Sequence, residues 1–117
     1  MNEIVWKSTK DIPSQPVSPG ISVRQLWQGE LSARAMVVEI SAGAQWEGID
    51  THVDNSEEVF VVSGTFNDDI RDYPVGTFIH HPVGSSHVPQ SETGCTLFIF
   101  YPPKVDAHKT PIQHSQY

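Results

Sequence analysis

The chain has 117 residues, 38% hydrophobic and 18% charged, enough for one domain with its own core. Fourteen acidic residues stand against seven basic ones, a formal charge of -7, and the few scattered Lys and Arg exclude a phosphate-tracking nucleic-acid surface or an anionic-membrane surface. The single cysteine, Cys95, excludes an intrachain disulfide and suits a reducing compartment. No run reaches the length of a membrane span, and residues 1–10 lack the basic-then-apolar layout of a signal peptide, so the sequence reads as soluble and cytoplasmic.

The proline-rich stretch KDIPSQPVSP (residues 10–19) reads as an extended arm. After Pro19-Gly20 comes a first β-type run, residues 22–27. Residues 30–40 divide. Leu31, Ala33, Ala35 and Met36 favour a helix, whereas Val37, Val38 and Ile40 favour a strand. Further β-type runs cover residues 58–63, closed by Gly64, residues 76–81, closed by Pro82, and residues 96–101, stopped by Pro102-Pro103. The tail, residues 104–117, is polar and interrupted by Pro111. Short strands separated by Gly/Pro turns predict a β-sandwich or barrel. The expected layout is one domain over residues 1–117, with an arm (1–19), a core (20–103) and a tail (104–117).

Two stretches carry chemistry. In GIDTHVDNSEEVFVVSGTF (residues 48–66), Asp50 and His52 lie two apart and so share one face of a strand. Glu57 follows a turn built on Asp54, Asn55 and Ser56, which returns it toward that face. In GTFIHHPVGSSH (residues 76–87), His87 follows a Pro-x-Gly turn that reverses the chain. Imidazoles and carboxylates converging from two hairpins make a mixed N/O site suited to Fe(II), Mn(II), Ni(II) or Zn(II). Two carboxylates in one poorly solvated cavity would push at least one pKa up.

Both stretches resemble the conserved motifs of the cupin superfamily. Gly76, Pro82, Gly84 and His87 match the second motif without a gap, and His52, Glu57 and Gly64 match the later half of the first. EEVFVVSGTFND (57–68), PVGSSHVPQS (82–91) and GCTLFIFYP (94–102) are closer to one branch, the cupin domain related to the anti-sigma factor ChrR and to acetylacetone-cleaving dioxygenases. The resemblance implies an all-β double-stranded β-helix, the jelly-roll barrel, with a divalent metal inside it. It implies a homodimer too, in which the arm around residues 3–6 adds a strand to the partner's sheet and covers an edge.

One departure is chemical. Asp50 occupies the place of the first histidine of the family's His-x-His pair, so the implied ligand set is Asp50, His52, Glu57 and His87. With Asp50 as a supporting neighbour the set is instead His52, Glu57 and His87; Asp54, in the turn, is the weakest candidate. Alternation does not choose between Glu57 and Glu58, because residues 59–62 make both faces of the strand apolar; the family spacing to Gly64 selects Glu57. His80 and His81 must face opposite sides, and His80 is the one expected inside, with Trp46, Phe78 and Phe98 as further pocket wall. Asp68, Asp69 and Asp72 read as a solvated acidic loop, Cys95 as a small buried hydrophobe, and His108 and His114 as solvated.

For activity, the resemblance implies either a metal-dependent dioxygenase acting on a small organic acid or diketone, or a non-catalytic ligand- or metal-sensing module. Without a Cys-x-x-Cys zinc-binding sigma-inhibiting unit in these residues, direct sigma-factor binding is disfavoured.

Overall fold

The computed structural model describes residues 3–104; the tail, with His108 and His114, lies outside the described residues apart from Lys104. After a single 3-10 turn at Thr9–Asp11 every regular element is a strand. These are β1 (Gln15–Ser18), β2 (Ile21–Gln28), β3 (Arg34–Ile40), β4 (Ala44–Gln45), β5 (Asp50–Thr51), β6 (Glu57–Gly64), β7 (Phe66–Asn67), β8 (Asp72–Tyr73), β9 (Phe78–His81), β10 (Ser86–His87), β11 (Gln90–Ser91) and β12 (Cys95–Tyr101).

A six-stranded sheet runs β1-β2-β3-β12-β6-β9, and a smaller sheet runs β4-β11-β7-β8. A separate pair, β5 with β10, carries the histidine motifs. Antiparallel register sets rows of side chains across the large sheet. Val23, Val38, Leu97 and Val61 form one inner row, and Gln25, Met36, Ile99, Val59 and Ile79 the next. Phe66 of β7 joins Met36, Val38, Val59, Val61, Ile79, Leu97 and Ile99 in one buried cluster, with Val23, Ala44, Trp46 and Tyr73 packed against it. The jelly-roll barrel implied by the motifs is the architecture observed.

The helical half of residues 30–40 does not form. Leu31 and Ser32 both take positive φ (54° and 66°), and Ala33 N–H donates to Glu30 O at 3.1 Å. That is the primed turn whose twist suits a β-hairpin, here joining β2 to β3. Positive φ costs these residues about 1–2 kcal/mol each. Contacts offset the cost: Lys104 N–H donates to Leu31 O (2.7 Å), while Arg34 and Asn55 donate to Ser32 O (3.0 and 3.3 Å). Tertiary pairing of β3 with β2 and β12 overrides local propensity.

The outer face of the large sheet is also apolar. Phe78, Phe60, Phe98 and Val37 stand in one cross-strand row, and the three phenylalanines are exposed. At the end of β6, Gly64 turns the chain at φ 74°, where an added Cβ would run into the Gly94 carbonyl oxygen and lie 2.8 Å from Cys95 Cα. We expect Gly64→Ala to lose about 3 kcal/mol in urea unfolding. A change below about 0.5 kcal/mol, the range of neutral surface substitutions, would contradict this account of the motif glycine.

Candidate metal centre

Glu57 opens β6 directly opposite His81 of β9. Alternation then sends Glu57, Val59 and Val61 inward and Glu58, Phe60 and Val62 outward. On β9 it sends Ile79 and His81 inward. The Pro82–Ser85 turn closes through Ser85 N–H to Pro82 O at 3.0 Å, with Gly84 at φ 91° in its third position, as a type II turn requires. The same turn grips the first motif: His52 N–H donates to Ser85 O (2.9 Å), and Gly84 N–H donates to His52 O (2.6 Å). His87 pairs with Asp50 across β10 and β5. The Pro-x-Gly turn therefore holds both motifs together.

His52, Glu57, His81 and His87 are all buried, and one donor atom from each lies within 4.8 Å of the others. Glu57 Oε1 stands at the centre, 3.3 Å from His52 Nε2, 3.2 Å from His81 Nδ1 and 3.2 Å from His87 Nε2. The His81 ring stacks on His87 at 4.2 Å between centroids. Glu57 Oε1, His87 Nδ1 and both ring nitrogens of His81 are buried without a hydrogen-bond partner. Such orphans are costly, and these donors are the N/O set that a divalent transition metal takes. The residues fit a metal ion.

Two further groups steady the cluster. Tyr101 Oη donates to Glu57 Oε2 at 2.6 Å, which leaves Oε1 facing the imidazoles. Asp68 Oδ2 lies 3.7 Å from His81 Nε2, so His81 turns Nδ1 toward Glu57. A carboxylate behind an imidazole commonly sets which nitrogen binds a metal. Asp68 is not the solvated residue expected. It is buried, and it accepts hydrogen bonds from Tyr73 Oη and from the N–H groups of Ile70 and Arg71.

Three expected pocket residues lie elsewhere. His80 points outward, where its Nδ1 pairs with Glu58 at 2.8 Å, and His81 takes the inner place. Phe78 and Phe98 stand on the outer face, because each is one residue out of phase with the buried Ile79, Leu97 and Ile99. Trp46 does line the cavity. Asp50 lies at the cluster but outside its four members, with Oδ2 3.5 Å from His87 Nε2 and 3.9 Å from His52 Nε2 and a third of its side chain exposed. His81, Tyr101 and Asp68 were missed. Register places His81: the residue paired with Glu57 on β9 is inside with it, and that pairing is not visible in the sequence.

Of the two carboxylates, one of which was expected to have a raised pKa, Glu57 shifts the other way. Burial pushes its pKa up, but the facing imidazoles of His52, His81 and His87 and the Tyr101 hydroxyl outweigh burial and hold it well below the carboxylate range. For His87, burial pushes the pKa down, but Asp50 and Glu57 outweigh it and raise the pKa to about 9. At neutral pH the metal-free centre therefore carries an ionised Glu57 and a protonated His87.

A two-sheet jelly roll with clustered imidazoles and a carboxylate at the end of its cavity defines a cupin. The chain belongs to the ChrR cupin-like domain family, whose sequence profile matches residues 2–104. An RmlC-like cupin from Shewanella frigidimarina superposes at TM-score 0.74 with 20% identity, over 86% of this chain and 92% of that one. A candidate acetylacetone dioxygenase from Methylibium petroleiphilum gives 0.76 and 11%, over 97% and 88%. A chain from the complex of Rhodobacter sphaeroides SigE with the anti-sigma ChrR gives 0.67 and 18%, over 82% of this chain and 52% of that one. These likenesses concern the fold. No curated protein sequence matches the chain. Among the described residues no helix is long and apolar enough to cross a membrane.

The raised His87 pKa, moved from 6.5 to about 9, has a definite sign. In the metal-free chain its ion pairing stabilises the fold fully below pH 6.5 and is lost as pH rises through about 9. A metal must displace that proton. Zinc titration in buffers of different ionisation enthalpy should show release of about one proton at pH 7, falling away above pH 9. Release that is absent at pH 7 would contradict the assigned protonation.

Proposed function

We propose that this chain is a metal-dependent enzyme of dioxygenase type acting on a small diketone or organic acid. One observation carries the reading: four buried donors converge at the end of an apolar cavity, with Glu57 Oε1 left unpartnered among three imidazoles. The likeness in fold to a candidate acetylacetone dioxygenase supports the direction. His52, Glu57, His81 and His87 would hold the ion. Fe(II), Zn(II), Mn(II) and Ni(II) all suit this donor set, and the bound metal would supply Lewis-acid or oxygen-activating chemistry. Four protein donors leave two positions of an octahedral ion for other ligands, and Asp50 as a fifth would leave one. Tyr101 holds Glu57 in place with a hydrogen bond of 2.6 Å, and the cavity walls beside the donors are apolar.

A second reading is a non-catalytic sensing module, favoured by membership of the ChrR cupin-like family. Oxygen uptake by the Fe(II)-loaded protein separates the two. Uptake dependent on a 2,4-diketone, and abolished by His87→Ala together with metal binding, is the expected outcome. Tight diketone binding without uptake would establish the sensing module instead.

The homodimer has a fitting face, and we infer that a second copy covers it. Phe60, Phe78 and Phe98 are 43%, 62% and 37% exposed, an apolar row suited to the core of an interface of about 800 Å² per partner. The polar groups flanking it have partners within the chain, Glu58 hydrogen-bonded to His80 at 2.8 Å and Arg24 ion-paired with Glu39 at 3.3 Å, so neither carboxylate faces a second copy without a partner. The apolar side chains of the arm, Ile4, Val5 and Trp6, are exposed as well, available to the partner's sheet. Sedimentation equilibrium should show a dimer that Phe60→Lys converts to monomer with the metal site intact. A native monomer at about 100 μM would refute the interface.

A further inference from the structure

The cavity leading to the metal centre has a volume of about 240 Å³. That is below the roughly 300 Å³ floor of pockets for drug-sized ligands. Its wall is formed by aliphatic and aromatic side chains such as Ile21, Val38, Leu97, Trp46 and Phe66. Gln25, Asp50, Glu57, His87 and Tyr101 are its polar groups, and among the described residues no Lys or Arg lines it. Arg34, a cation beside the site, stacks on the Tyr101 ring at 4.0 Å without lining the cavity.

Charge then decides what the cavity accepts. Glu57 and Asp50 together neutralise a divalent ion, whether Asp50 binds it or only stands beside His87 and His52 at 3.5 and 3.9 Å. A histidine at position 50 would have left one net positive charge. Asp68, buried behind His81, adds further negative potential. A dianion entering this space would lose its water and meet no net positive charge, a costly transfer in an apolar cavity. A polyol would find few partners for its hydroxyl groups.

We propose, building on the metal-centre reading, that Asp50 sets ligand charge: the cavity takes a small uncharged molecule with an apolar body and one donor head. Small dianions and sugars are rejected. Of the two substrate classes proposed above, an uncharged diketone meets this charge rule and a dicarboxylic acid does not.

Co(II) loading reports both layers. Its visible absorption, titrated to one equivalent in the native protein and in Asp50→Asn, tests the metal centre; no Co(II) absorption in the native protein would overturn that reading and this inference with it. Given a loaded centre, imidazole, 1-butylimidazole, acetate and oxalate serve as probes of charge and apolar bulk. We expect 1-butylimidazole to bind the native protein at least about tenfold more tightly than imidazole, since each buried methylene contributes about 0.8 kcal/mol. Acetate and oxalate should be weaker than 1-butylimidazole, and both should gain about tenfold or more in Asp50→Asn while the neutral probes change little. Oxalate binding the native protein more tightly than 1-butylimidazole, or anion affinity unmoved by Asp50→Asn, would overturn the inference.

Discussion

Glu57 is the constraint on which the rest of the site depends. It is a carboxylate only 2% exposed at the start of a core strand, and burying such a charge is expensive without partners. Tyr101 satisfies one oxygen and three imidazoles crowd the other. Every partner comes from a different strand or turn. Tyr101 arrives from β12, His81 from β9, His87 from β10, and His52 from the segment after β5. The barrel must close in its observed register for the charge to be tolerated, so fold and site are specified together.

Metal-free, the centre is held by a proton on His87; a divalent ion bound there would have to displace that proton from the same nitrogen. Asp50 bears on that nitrogen, by raising the His87 pKa and by lining the cavity beside it. The change from histidine to aspartate in the first motif thus alters the charge of the site while His81, from β9, keeps the number of imidazoles at three.

Much of the fold was legible because Gly and Pro punctuate it. Gly64, Pro82 and Gly84 mark turns whose geometry the structure requires, and the long β-type runs became β2, β6, β9 and β12. The two-residue strands β4, β5, β7, β8, β10 and β11 are too short to leave a periodic trace. His52, Glu57 and His87 were legible through spacing. His81 was not, because Phe60, Val62, Phe78 and Phe98 make the outer face apolar and erase the alternation that would have told inside from outside. Propensity misled at residues 31–36, where a primed turn at Leu31-Ser32 feeds a central strand. Asp68 looked solvated because its partners are backbone N–H groups and a tyrosine hydroxyl, none of which sequence alone places beside it.

The central claim is that the third imidazole of the centre comes from β9. X-ray absorption at the metal edge of the loaded native protein, compared with His81→Ala, counts imidazoles through their outer-shell scattering. The account predicts three in the native protein and two in the variant, with the carboxylate oxygen retained in both. Two imidazoles in the native protein, unchanged by His81→Ala, would contradict it.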